Sequence, residues 1–378
     1  MLPVSCSGGR KSGTNMAAFT LLSPGDPAPR VMQRNSSGER YNLDLAAGRS
    51  LVLCFFRSSA SAHAAAVLTA VRKRCDLFDD SHAAFFGVTT DHEDEAQKRL
   101  TTIVPGYRFF WDYDNKIARA YGIAPLDGSE GLYFGKWVII NPMMRVTAVI
   151  PFREDRADIA EALDHVASMS PAGRIAGLDI QAPVIVLENV FDHKTCRQLI
   201  AGYEAADRDL SGVMREIDGR TRLVHDDLQK RRRDYVLTDE AERKTLTAHI
   251  RRRIVPEIEK IHQFAATRIE RYLVACYAAE DEAHFRPHRD NTTKGTAHRR
   301  FAVSINLSED FDGGEIVFPE YGSRGFRPTA GGAVVFSCSL LHAVTQVTRG
   351  RRYAFLPFLY DDAAAQIREQ NRQFVEEP

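Results

Sequence analysis

The sequence predicts two domains, an α/β domain followed by a mainly β domain braced by helices. Three observations carry this. Strand-like and helix-like runs alternate from Phe19 to about residue 168, a break rich in small residues, Gly and Pro follows in SMSPAGRIAGLDIQAP, and short β-rich runs parted by turn residues dominate from residue 273. At 378 residues the chain also exceeds a comfortable single core.

Residues 1–18 carry no apolar h-region, so they read as a disordered tail rather than a secretory signal, with Met16 an alternative start to Met1. In the α/β domain, 19–168, the runs SLVLCFF, AAFFGVTT, KWVIINP and RVTAVIP read as strands, and SAHAAAVLTAVRKRCDLF and EDEAQKRL as helices. A linker is expected over 169–180. The second domain then spans 181–362, with helical support over 192–272, a barrel over 273–360, and a C-terminal tail over 363–378. Asp192 or Thr195 is placed to cap a helix whose inner face carries Cys196, Leu199, Ile200 and Tyr203. A second helical stretch runs from about Asp239 to Ile269, where Leu246, Ile250, Ile254, Ile258 and Ile261 recur every three or four residues and Pro256 marks a kink or a new first turn. Between them, residues 207–238 are polar and strongly charged, with Arg215, Arg220, Arg222, His225 and KRRRD at 230–234. Such a segment reads as either a substrate lid or a mobile surface loop.

Composition narrows the function classes. Fifty basic and fifty acidic residues cancel, so no global field favours nucleic acid or an anionic membrane. The basic run Arg251–Arg253 falls in a helical pattern, where a solvated face is the simpler reading. No apolar run is long enough to cross a bilayer. The six cysteines, Cys6, Cys54, Cys75, Cys196, Cys276 and Cys338, form no CxxC pair, and a reducing cytoplasm is the simplest setting.

The chemistry concentrates in HFRPHRDN and SLLHAVTQVTRGRRYAF. Two residues apart on a strand, His288 and Asp290 point to one face, where an imidazole and a carboxylate can share a metal. His342 follows the strand-like GGAVVFS and can arrive from across a barrel as a third ligand. Two histidines and one carboxylate on one side of an ion leave three positions open, which suits non-haem Fe(II) better than tetrahedral zinc. Ten residues on, alternation sends Arg352, Ala354 and Leu356 one way and Arg351, Tyr353 and Phe355 the other. A buried guanidinium there needs an anion, and a bidentate carboxylate is its natural partner. Each piece alone has an ordinary reading: HxD is common in loops, a lone Arg352 would be solvated, and a lone Tyr277 would be core.

The stretches ACYAAEDEAHFRPHRD, FAVSINLSEDFDGGEIVFPEYG and GGAVVFSCSLLHAVTQVTRGRRYAF resemble the 2-oxoglutarate- and Fe(II)-dependent dioxygenases of the prolyl 4-hydroxylase superfamily. That resemblance covers roughly the last half of the chain and implies a double-stranded β-helix (jelly-roll) oxygenase domain. It implies that His288, Asp290 and His342 hold Fe(II) and that Arg352 binds the distal carboxylate of 2-oxoglutarate. Tyr277 matches a tyrosine on the strand before HxD, and Asn306 falls where some members have another co-substrate contact. The prolyl branch often has a tyrosine near His284 or Phe285, which leaves substrate type open.

LLSPGDPAPRV, GERYNLDLAAGRSLVLCFFR and WDYDNKIARAYGI resemble the peroxiredoxins of the thioredoxin-like fold. The positions of that family's proline, threonine and peroxidatic cysteine read Arg57, Ser61 and Ala64 here, so the peroxide chemistry has no nucleophile. Cys54 lies within an apolar strand, and Cys75 comes late in a helix where the dipole raises a thiol pKa. A redox-silent scaffold for docking, dimerisation or substrate presentation is the expectation.

Together these readings point to an Fe(II)/2-oxoglutarate dioxygenase that uses O2 to hydroxylate a peptide, protein side chain or amino-acid-like substrate, with release of succinate and CO2. Ascorbate is an expected reductant and a homodimer the expected assembly, with neither membrane nor nucleic acid as a partner. The rival readings are the same chemistry on a small metabolite, a non-catalytic sensor of iron or 2-oxoglutarate, and a peroxidase with an accessory barrel, which Ala64 opposes.

Overall fold

A computed structural model describes residues 18–376 apart from Glu39, Glu130 and Ala176. The expected N-terminal tail, with Cys6 and Met16, lies outside the described residues up to Ala17. The chain separates into two compact units at Pro171/Ala172.

The N-terminal unit is built on a five-stranded sheet. Its order is Tyr107–Trp111, Ala83–Thr89, Ser50–Arg57, Lys136–Ile140, Val146–Pro151, the first three parallel and the last two antiparallel. The central strand SLVLCFFR is buried except at Arg57, as an apolar run without alternation requires when both faces are covered. Helix Ala62–Arg72 starts at Ser61, whose side chain accepts from Ala64 N at 3.1 Å. Ala64 thus sits in the first helical turn, fully buried, with a methyl group where the peroxiredoxin comparison puts sulfur. Cys54 is fully buried, and desolvation pushes its thiol pKa well up. Cys75 lies beyond the helix, which ends at Arg72, and not within its last turns as the pattern suggested; it is exposed.

The C-terminal unit is built on two main antiparallel sheets rather than a closed barrel, with two separate two-stranded hairpins; among the described residues no ladder joins the main sheets. The larger, ten-stranded sheet follows the path Ile185–Leu187, Ala333–Ser337, Phe301–Asn306, Val347–Phe355, Leu273–Ala278, Arg233–Val236, Asp209–Leu210. The smaller holds Lys230–Arg231, His284–His288, His342–Val344, Ile316–Val317 and Gly325–Phe326. Alternation divides the larger sheet. Val274, Cys276, Val303, Ile305, Val335, Tyr353 and Phe355 pack outward on the helices, while Ala275, Tyr277, Ala302, Val334 and Phe336 face the smaller sheet.

Helix His193–Ala205 is capped by Asp192, which accepts from Thr195 N at 2.7 Å, and buries Cys196, Leu199 and Tyr203. Glu240–Arg253 and Val255–His262 meet at Ile254, where Pro256 opens the second helix. That stretch ends at His262 rather than near Ile269, because Gln263 turns left-handed (φ +51°) and Arg268–Glu270 joins the sheet beside Phe358–Tyr360. The 207–238 segment is not a loop. It holds the hairpin Val213–Ile217/Arg220–Val224, turned at Asp218–Gly219 with φ of +51° and +76°, followed by two short strands. The expected tail 363–378 is largely helical: Asp362–Asn371 is capped by Asp361 and followed by a turn through Phe374.

Ile250 and Ile258 are both fully buried between helices and sheet. Replacing Ile250 with Ala is expected to destabilise the C-terminal unit by about 2–5 kcal/mol, read as a lower urea midpoint at unchanged slope. For the N-terminal unit, dithiothreitol-driven H2O2 consumption by the full chain is expected at the buffer rate. Turnover abolished by Cys75→Ser would identify a working thiol instead.

Candidate metal and anion site

His288 ends its strand and is the register partner of His342, the first residue of the neighbouring strand. Asp290 is not on that strand. It lies in the turn after it, where its backbone N–H donates to Cys338 O at 3.0 Å. The turn still brings the carboxylate back: one ligand atom from each of the three residues lies within 4.8 Å of the others.

Both imidazoles are oriented by the main chain. His288 Nδ1–H donates to Arg286 O at 2.8 Å and His342 Nδ1–H to Leu340 O at 3.1 Å, since a carbonyl only accepts. Each Nε2 therefore presents a lone pair to Asp290, whose oxygens stand 3.6 Å from His288 Nε2 and 3.4 Å from His342 Nε2. His288 Nε2 is buried with no hydrogen-bond partner among the described residues. Two ring nitrogens and a carboxylate converge there, and a cation satisfies all three at once. The donor set, two imidazoles and one carboxylate, fits a ferrous ion.

Packing fixes the rings. Phe285 stacks on His288 with centroids 3.4 Å apart, and Phe336 meets His342 edge-on at 4.6 Å. Burial, reinforced by His288, pushes the His342 pKa down to about 4, so the ring is neutral at physiological pH. A second clamp had no sequence signal. Arg289 Nη2 donates to Glu320 Oε1 at 2.9 Å and its Nη1 to Ser339 O, while Leu341 N–H donates to Glu320 Oε2 at 3.3 Å. It ties the Asp290 turn to the segment leading into His342.

Across the cavity lies Arg352, 2% exposed, on the inward face of Val347–Phe355. Its Nη2 donates to Ser304 Oγ at 2.7 Å and its Nε to Asn306 Oδ1 at 3.1 Å, and its guanidinium lies over the Tyr277 ring. Among the described residues no carboxylate pairs with it. Burial lowers its pKa to about 10, which leaves it a cation at neutral pH. Gly314 passes close enough that a Cβ there would stand 3.0 Å from Arg352 Cδ. Asn306 does not line the cavity; it orients Arg352 and donates to Pro328 O at 2.8 Å. Tyr277 does line it, with its hydroxyl accepting from Arg232 Nη1 at 3.1 Å.

Sequence reasoning missed the roles of Lys230, Arg232 and Asp234, whose KRRRD run lay in the segment read as a lid or a mobile surface loop. Lys230 and Arg232 are each 5% exposed and line the cavity, while Arg231 and Arg233 face outward toward Glu282 and Asp281. Asp234 grips Arg232 bidentately, at 2.6 and 2.7 Å. Spacing at i, i+2 and i+4 was the available signal.

Fold and site together define a class. Residues 272–360 match the 2OG-Fe(II) oxygenase superfamily, and residues 24–149 match the AhpC/TSA family. The curated relatives narrow the first match. Over 69 residues the chain is 42% identical to a PKHD-type hydroxylase of Caulobacter sp. (strain K31), covering 18% of this chain and 30% of that protein. Over 80 residues it is 40% identical to a PKHD-type hydroxylase of Cupriavidus metallidurans, covering 18% and 35%. The chain thus spans about a third of the length of these relatives. Solved structures similar to it include a Trichoplax adhaerens prolyl hydroxylase in complex with a hypoxia inducible factor oxygen degradation domain peptide fragment (16% identity, 50% of this chain and 86% of that one, TM-score 0.40). Another is the peroxidoxin BcpB of Mycobacterium tuberculosis (19% identity, 40% and 99%, TM-score 0.34). No helix among the described residues is long and apolar enough to cross a membrane.

The His342 shift has a sign that can be checked in the metal-free protein. The unfolded chain takes up this proton near pH 6.5, whereas the folded chain resists it until about pH 4. Folding stability is therefore expected to fall as pH drops through that window, and His342→Gln to flatten that part of a urea-midpoint profile. A profile identical in the variant would show that the ring titrates normally.

Proposed function

We propose that the C-terminal unit is an Fe(II)- and 2-oxoglutarate-dependent dioxygenase that hydroxylates a C–H bond of a peptide, protein or amino-acid-like substrate. The observation that carries this reading is the pairing, across one cavity, of a lone-pair cluster with a buried arginine that lacks a protein anion. The family match over 272–360 supports it.

In this reading His288, Asp290 and His342 hold the ion and Arg352 receives the distal carboxylate of 2-oxoglutarate. Fe(II) with its co-substrate would supply the oxidant that puts one atom of O2 into the C–H bond and the other into succinate, with loss of CO2. The chain's own part is positional. Carbonyls of Arg286 and Leu340 hold the imidazole tautomers, and Ser304 and Asn306 hold the guanidinium. Tyr277 accepts from Arg232, so its own proton is free to donate into the cavity. Phe285, Phe336, Ile316 and Val344 supply the apolar part of the cavity wall. Asn306 acts through Arg352 rather than on the co-substrate. Ascorbate would serve as reductant, and a cytoplasmic homodimer is the proposed setting. The N-terminal unit is proposed as a redox-silent scaffold, since Ala64 leaves its helix start without a nucleophile.

The deciding experiment is anaerobic visible absorption of the apo-protein titrated with Fe(II) and then 2-oxoglutarate. A charge-transfer band is expected in the wild type, absent in His288→Ala, and needing about tenfold or more 2-oxoglutarate in Arg352→Ala. An iron-loaded, folded wild type without the band would overturn the assignment. Normal binding without succinate formation would favour a non-catalytic sensor.

A further inference from the structure

Charge bookkeeping around the cavity leaves two cations unmatched. Lys230, Arg232, Arg271 and Arg352 line it, with Asp290 the acidic residue on the wall and Asp234 directly behind. Arg232 is neutralised by the bidentate Asp234. On the reading above, a divalent ion is balanced by Asp290 and the keto-acid carboxylate, and Arg352 by the distal carboxylate. Metal and co-substrate cancel each other, and Lys230 and Arg271 remain.

Both have donors to spare. Lys230 Nζ donates to Gly212 O at 2.8 Å and stands over the Phe285 ring, and among the described residues it makes no other hydrogen bond. Its ammonium has three protons to give. Arg271 makes no hydrogen bond among the described residues. It reaches Asp234 only at 3.8 Å, and its guanidinium lies over the Phe358 ring. Burial, with Arg232 adding repulsion, lowers the Lys230 pKa well below its ordinary value, and burial with Arg299 and Arg232 nearby brings Arg271 to about 10. Lys230 is buried and Arg271 half-buried, and two cations facing one cavity without a carboxylate of their own are a charge that an arriving anion offsets. Phe285 links this pair to the metal cluster, because the ring beneath the ammonium is the one stacked on His288. An anion gripped there is held beside the metal centre.

We infer that Lys230 and Arg271 form a substrate subsite for a carboxylate, so that the molecule hydroxylated is a carboxylic acid anchored by its charge. The inference rests on the dioxygenase reading and adds the substrate class to it. Two sources share this chemistry, a free α-carboxylate and an acidic side chain within a peptide. A neutral internal residue lacks the anchor and leaves the two cations uncompensated.

The test uses the full chain loaded with Mn(II) and saturating 2-oxoglutarate, and reads paramagnetic broadening of acetyl-methyl protons from three small probes. N-acetylglycine presents an α-carboxylate, N-acetylaspartyl amide a side-chain carboxylate, and N-acetylglycinamide neither. Saturable broadening is expected from at least one carboxylate and none from the amide, and which carboxylate responds separates the two sources. Lys230→Met and Arg271→Met are expected to weaken it about tenfold or more, with Arg271→Lys recovering part of it. 2-Oxoglutarate binding should persist in these variants, in contrast to Arg352→Met. Equal broadening by the amide, full broadening in folded Lys230→Met and Arg271→Met, or no saturable broadening from any probe overturns the inference. Loss of 2-oxoglutarate affinity as large as in Arg352→Met would assign the pair to the co-substrate instead. Should wild-type Mn(II) show no response to 2-oxoglutarate in water-proton relaxation, the dioxygenase reading itself fails, and by a separate signal.

Discussion

A β-strand buried on both faces has no side that tolerates error, and the C-terminal unit depends on this constraint in Leu273–Ala278 and in the Arg352–Phe355 end of the strand beside it. Paired in register, Tyr277 with Arg352 and Cys276 with Tyr353, the two strands send one set of side chains to the helices and the other to the cavity. A slip of one residue would put Arg351 inside and Arg352 among apolar helices. The helical layer therefore acts on the chemistry at a distance. Leu246, Ile250, Ile254 and Ile258 touch no ligand atom, yet the apolar face they complete is what makes the inward position of Arg352 the low-energy one.

The cavity is preorganised for charge rather than merely lined by it. Arg352 is held by two neutral oxygens, from Ser304 and Asn306, which orient the guanidinium without discharging it. Arg232 is treated the opposite way, fully matched by Asp234 and turned into a rigid support for Tyr277. Neighbouring cations on one wall thus do different work according to whether a carboxylate stands behind them.

Much of this arrangement was legible in the sequence, and the limits have physical causes. Histidine and aspartate two apart, with a second histidine after an apolar strand, announced a ligand cluster because metal chemistry restricts donor types severely. The apolar run SLVLCFF and the three- and four-residue recurrence from Leu246 to Ile258 marked a buried strand and a packed helix pair by periodicity alone. Asp290 showed the weakness of that logic, since a turn beyond the strand end returns its carboxylate to the face that alternation would have chosen. KRRRD lay in a segment read as a lid or a mobile surface loop, although strand spacing separates its buried and exposed members as cleanly as it does apolar ones. The Asp218–Gly219 turn was visible between alternating residues and was passed over inside a segment read as loop. Arg289 and Glu320 left no trace, because an ion pair between residues 31 apart has no local pattern.

His288 and His342 face each other across two adjacent strands, and the chain between them carries Phe301–Asn306, Ile316–Val317 and Ala333–Ser337 from both sheets. An ion gripped by both rings is a reversible cross-link closing that long loop, comparable in effect to a disulfide that a chelator can open. Its departure would remove that cross-link from between two inner strands of the smaller sheet. Fold integrity and readiness for chemistry would then be set by one variable, the free concentration of the metal.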